Sequence, residues 1–93
     1  MRDMARSGPM GKANQESCLR RFRPRLREAM RASGLNESEL AEMVDMTRPA
    51  ISMYLSGRRI PETVSLIRLC RALDISADYL LGLSAERTAN WED

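Results

Sequence analysis

The chain has 93 residues, of which 43% are hydrophobic and 30% charged, with a net charge of +2. That length suits one small domain, and a domain this small has little buried surface to spare for segments that add nothing to a core. No apolar run approaches the about 20 residues that a membrane-spanning helix needs, the chain contains no histidine and only two cysteines, and both a disulfide scaffold and a histidine-assisted catalytic or metal centre are thereby disfavoured.

The modest net charge hides strong segregation. Residues 1–31 carry +6, residues 32–47 carry −4, residues 48–71 carry +4 and residues 72–93 carry −4. Blocks of this kind can build one basic face, which attracts phosphate.

Residues 1–21 are expected to form a disordered basic arm. The stretch up to Ser17 mixes Gly, Pro, Ser and scattered charge without periodicity, and it lacks the apolar segment of a secretory signal. Cys18 falls in this segment and is read as an idle surface thiol. The cysteine usage suits a reducing cytoplasm. Arg20, Arg21 and Arg23 lead into a first helix and are candidate arm contacts to a minor groove. Pro24 fits the first helical turn. Phe22, Leu26 and Met30 make an apolar stripe, and Gly34 supplies a stop.

Three further helix starts share one arrangement, an apolar residue followed by a capping residue. Leu35-Asn36 precedes Glu39 and Leu40, Met46-Thr47 precedes Ile51, and Ile75-Ser76 precedes Leu80. A fourth helix follows Pro61, expected over residues 62–73 with Leu66, Ile67, Leu69, Cys70 and Leu73 on its buried side. Cys70 there reads as a small buried thiol. Gly57 and Gly82 end the third and fifth helices. The expectation is therefore all-α: five short helices over residues 22–83, no strand, and a polar C-terminal tail over residues 84–93. Trp91 in that tail is a candidate dimer contact.

Residues 37–55 carry the functional signal. Ala41 is small enough for two helices to cross closely. Leu40 and Val44 face inward beside it. Asp45 falls in the turn, where a left-handed backbone is needed and Asp tolerates it better than most residues. Ile51 and Leu55 anchor the third helix from behind, which leaves Arg48, Pro49, Ser52 and Met53 on its outer face. This is a helix-turn-helix presenting a helix to a groove.

Together with Ser-Gly-Arg-Arg-Ile-Pro (56–61) and Leu-Asp-Ile-Ser-Ala-Asp-Tyr-Leu-Leu-Gly (73–82), these segments make residues 22–83 resemble the phage repressor and Cro family of helix-turn-helix regulators. The resemblance implies a five-helix domain, a homodimer on a palindromic operator in double-stranded DNA, and control of transcription, most simply repression. It places Arg48, Pro49, Ser52 and Met53 against base edges, with Arg48 able to donate two bonds to guanine. It places Glu37, Thr47, Ser56, Arg58 and Arg59 at phosphates. Glu37 departs from the family's usual Gln, and a carboxylate there is repelled by the backbone. An antitoxin-type protein that binds a toxin as well as DNA shares the fold and stands as the alternative. No cofactor or metal is expected, and no enzyme. The carboxylates Glu37, Glu39 and Glu42 are better explained by capping and the helix dipole.

Overall fold

The structure, a computed structural model, describes residues 19–89. The arm up to residue 18, with Cys18, and the tail residue Trp91 lie outside the described residues. Five helices follow one another, α1 (Phe22–Ser33), α2 (Glu37–Met43), α3 (Arg48–Ser56), α4 (Thr63–Leu73) and α5 (Ala77–Leu81), with no strand among the described residues.

Each boundary has a local cause. At α2, Glu39 N donates to Asn36 Oδ1 over 2.8 Å while Asn36 N donates to Glu39 Oε1 over 2.9 Å. This reciprocal pair satisfies two N–H groups that a helix start leaves orphaned. At α3, Ala50 N donates to Thr47 Oγ1 over 3.3 Å, and Pro49 sits in the first turn where no N–H is needed. At α5, Tyr79 N donates to Ser76 Oγ over 3.0 Å. The expected start at Glu62 falls one residue early, because Glu62 is the extended N-cap of α4 and makes no side-chain cap.

The turns between helices repeat one device. Gly34, Asp45 and Asp74 have φ of 70°, 58° and 56°. Each is followed by an apolar residue and then by the next helix's cap: Leu35-Asn36, Met46-Thr47 and Ile75-Ser76. Leu35 and Met46 pack against the core and Ile75 is inside it. The left-handed residue reverses the chain, the apolar residue fixes the entry angle, and the cap restarts the helix.

The core gathers Leu26, Leu40, Ile51, Leu69, Cys70, Ile75 and Leu80, all fully buried. α1 packs against α3, α4 and α5, and α2 packs against α3. Tyr54 is buried as well, beyond the expected anchors Ile51 and Leu55. One core expectation is corrected: Ile67 is 48% exposed. Leu66, Leu69, Cys70 and Leu73 form the stripe that α1 and α5 cover, and Ile67 lies about 100° around the helix from Leu66, beyond the edge of that cover.

The segment after α5 returns to the domain. Ser76 N donates to Arg87 O over 3.0 Å, and Ser76 Oγ donates to Glu86 O over 3.2 Å. Arg25 of α1 donates to Tyr79 O over 2.5 Å and to Ser84 O over 2.9 Å, with its guanidinium 4.2 Å from the Tyr79 ring centroid. A cation held over a ring face in this way ties α1 to α5 and to the following strand-free segment.

Candidate nucleic-acid interface

The helix-turn-helix is built from α2, the turn through Asp45, and α3. Ala41, 4% exposed, is a small buried residue of α2, which packs against α3. Met46 N donates to Ala41 O over 2.9 Å and Asp45 N to Glu42 O over 3.3 Å, which closes the turn directly onto the end of α2. Ile51, Tyr54 and Leu55 point α3's inner face into the core.

That leaves an outer face of Arg48, Pro49 and Ser52, all exposed, with Met53 half-buried beside them. Arg48 and Ser52 are four residues, about one turn, apart on α3. The structure brings together the four residues expected at base edges.

The residues expected at phosphates fall into different local states. Thr47 accepts the cap bond from Ala50, so its own hydroxyl hydrogen stays free to donate. Ser56 donates its hydroxyl hydrogen to Met53 O over 3.2 Å, so it must rotate before it can donate to a phosphate oxygen. Arg58 and Arg59 are exposed, and their backbone N–H groups donate to Met53 O over 2.9 and 3.3 Å. Their main chain is thus fixed to the last turn of α3 while their guanidinium groups stay in solvent. Glu37, at the start of α2, pairs with Arg48, with Nε and Oε1 3.7 Å apart.

The basic residues before and within α1 separate. Arg20 and Arg21 precede the helix, and Arg20 is exposed. Arg23 lies inside α1, and its guanidinium donates to Ser56 O over 3.2 Å. Arg27 donates to Leu55 O over 3.3 Å. Both cations therefore sit on the C-terminal carbonyls of α3, where a helix presents unsatisfied acceptors and partial negative charge. They hold the outward-facing helix from behind. Sequence reading does not find this role, since the partners are 33 and 28 residues away. Gly57 makes room for it: its φ is +83°, and a Cβ there would meet Arg23 Cζ at 2.8 Å.

Among the described residues no helix is long and apolar enough to cross a membrane. None of their His, Cys, Asp or Glu groups is placed to hold a metal ion.

Comparison with known proteins agrees with this geometry. Residues 26–80 match the helix-turn-helix family. The chain is 35% identical over 60 residues to the uncharacterized HTH-type transcriptional regulator YqaE of Bacillus subtilis, covering 64% of this chain and 52% of that protein. It is 36% identical over 58 residues to the HTH-type transcriptional regulator ImmR of the same organism, covering 62% and 46%. The chain spans about half the length of the curated relatives it matches. Among solved structures it superposes on the P22 c2 repressor in complex with a synthetic operator, with a TM-score of 0.64, 28% identity, and 68% and 96% of the two chains covered. It also superposes on the restriction-modification controller protein C.AhdI of Aeromonas hydrophila, with a TM-score of 0.62, 34% identity, and 67% and 94% covered. The chain belongs to the helix-turn-helix family of the phage repressor and Cro type.

Proposed function

We propose that this chain is a DNA-binding transcriptional regulator that occupies a palindromic operator as a dimer and represses transcription. The observation that carries the reading is α3 itself: an exposed Arg48, Pro49 and Ser52 on a helix whose inner face is locked in the core, with exposed Arg58 and Arg59 fixed at its end. A helix held this way can enter a major groove by its N-terminal half while the following loop meets the backbone. Likeness to the P22 c2 repressor, solved on an operator, supports DNA as the partner.

In this reading Arg48 donates two bonds to guanine O6 and N7, Ser52 pairs with a base of either type, and Pro49 and Met53 make apolar contacts. Thr47, Ser56, Arg58 and Arg59 position the domain on phosphates, which gives affinity and register without sequence information. Arg20 and Arg21 add attraction for the backbone, whereas Arg23 acts through the fold by holding α3. Base-edge donors are few on this face, so part of the specificity comes from DNA shape.

Selection from random oligonucleotides with the purified chain tests the reading. The expected product is an inverted repeat with half-site centres about one helical turn apart. Binding to the selected duplex should weaken with salt, and Arg58→Ala and Arg59→Ala should each flatten that dependence by about one unit on every sequence alike. An unenriched pool, or a slope untouched by both substitutions, would count against it.

A further inference from the structure

Tyr54 carries a polar group that the fold leaves without a partner. The residue is 5% exposed and is buried on α3 with Ile51 and Leu55. Its hydroxyl makes no hydrogen bond among the described residues. A buried hydroxyl left unpaired costs stability, and phenylalanine would fill the same space without that cost. Such a group calls for a cause outside the packed core.

Tyr54 lines a cleft between α3 and the start of α4, together with Thr47, Ala50, Arg59, Glu62 and Ser65. Thr47, Ala50 and Tyr54 are spaced three and four apart and share one side of α3. Helical side chains lean toward the helix N-terminus, so the Tyr54 ring runs back along that side and carries its hydroxyl toward the Ala50 turn. Donors surround it. The half-buried Ser65 hydroxyl has no partner among the described residues either. Helix α4 starts without a side-chain cap, and Leu66 N to Glu62 O, 2.8 Å, is its first backbone bond. The N–H groups of Thr63, Val64 and Ser65 are therefore unpaired among the described residues. Bare N–H groups at a helix start, with hydroxyl donors beside them, suit a phosphoryl group. Glu62 is the acid among the lining residues, but it is exposed and can turn its carboxylate to water.

We infer that the Tyr54 hydroxyl is a phosphate ligand, unpaired in the free chain and satisfied when a phosphoryl oxygen enters this cleft beside Ser65 and the start of α4. One source of that group is the backbone of a duplex, and for this source the inference rests on the DNA-binding reading above. A free phosphate ion presents the same oxygens. With either source the hydroxyl has already lost its water on folding and the acceptor is charged, so the new bond is a strong one. The chain thus keeps at Tyr54 a group that weakens the fold and strengthens binding.

The test is Tyr54→Phe, which removes the hydroxyl and keeps the ring, with circular dichroism to confirm the fold. Its urea midpoint should equal or exceed that of the wild-type chain, while its affinity for duplexes falls about tenfold. The loss should be the same on selected and random duplexes, because a phosphate contact carries no sequence information. The salt dependence should stay as steep as in the wild-type chain, unlike that of Arg59→Ala, because a neutral donor releases no counterion. The second arm titrates inorganic phosphate without DNA at constant ionic strength and follows the amide resonances of Thr63, Val64 and Ser65. Saturable shifts in the wild-type chain that weaken in Tyr54→Phe support the site. If those shifts weaken while duplex binding is untouched, the site stands and its phosphate is the free ion. If no duplex is bound by any variant, the DNA-binding reading fails, and the phosphate arm alone decides the site. A lower urea midpoint in Tyr54→Phe gives the hydroxyl a partner inside the protein and overturns the inference. So does a variant that matches the wild-type chain in both arms, and that result leaves the DNA-binding regulator standing.

Discussion

Arg48 Nε, on the first residue of α3, lies 3.7 Å from Glu37 Oε1, on the first residue of α2. The two helix N-termini thus share one ion pair at the edge of the surface that would face DNA. With the arginine side chain 67% exposed, the pair itself contributes little to stability, about 0–1 kcal/mol at most. Its consequence is for binding. A guanidinium that reaches a guanine must leave Glu37, and the carboxylate must then sit near phosphate. On a sequence without that guanine, Glu37 competes with the backbone for the same arginine. Such a competing contact lowers affinity for wrong sequences more than for the right one.

Glu37→Gln should therefore tighten binding to random duplexes more than to the selected operator. The expected gain on random DNA is several-fold, since removing one poorly screened repulsion is worth on the order of 1 kcal/mol. Fluorescence anisotropy on both duplexes at fixed salt measures it. An equal gain on the two would remove Glu37 from specificity.

Arg48→Ala should relax base preference at a single position in each half-site, at a cost of about 1–3 kcal/mol for the guanine-bearing operator. Competition binding against operators changed one base pair at a time locates that position. Loss of the same size on operator and random DNA would make Arg48 a phosphate ligand.

Gly57→Ala should destabilise the domain by about 1–2 kcal/mol, the usual cost of a left-handed backbone at a residue with a Cβ. The new methyl also pushes the Arg23 guanidinium from Ser56 O, because it would sit 2.8 Å from Arg23 Cζ. Urea unfolding followed by circular dichroism gives the difference. In an Arg23→Ala background the same substitution should cost less, since the displaced contact is already gone.

Cys70 sets a pH dependence. It is buried on α4, and burial pushes its thiol from an ordinary 9.0 up to about 11. The unfolded chain releases this proton at lower pH than the folded one. Between about 9 and 11 the folded state therefore holds more protons, and stability falls as pH rises through that window; below 9 the effect is absent. Urea midpoints at pH 8, 9 and 10 should decline more steeply for the wild-type chain than for Cys70→Ala. Parallel declines would assign the loss to other groups.

Much of this fold is legible along the chain because its signals act over a few residues. Asn36, Thr47 and Ser76 cap helices through bonds to N–H groups three positions on, and Gly34, Gly57 and Gly82 end helices through their own backbone. Asp74 repeats the Asp45 pattern, an Asp before an apolar residue and a hydroxyl cap, so its left-handed turn was readable by analogy within the chain.

What the sequence by itself determined, then, is where helices begin and stop and which residues line the outer face of α3. The tertiary structure decided the partnerships. Arg23 and Arg27 read as part of a basic run, yet packing of α1 behind α3 sets them on the carbonyls of Ser56 and Leu55. Ile67 reads as core, yet α1 and α5 together cover too narrow a strip of α4 to reach it. Glu37 and Arg48 read as separate contacts, yet the crossing of α2 and α3 makes them one pair. Capping is a short-range bond that neighbours in sequence can complete alone. Which charges meet, and which apolar face stays open, depends on how whole helices pack, and that is settled only by burial summed over the domain.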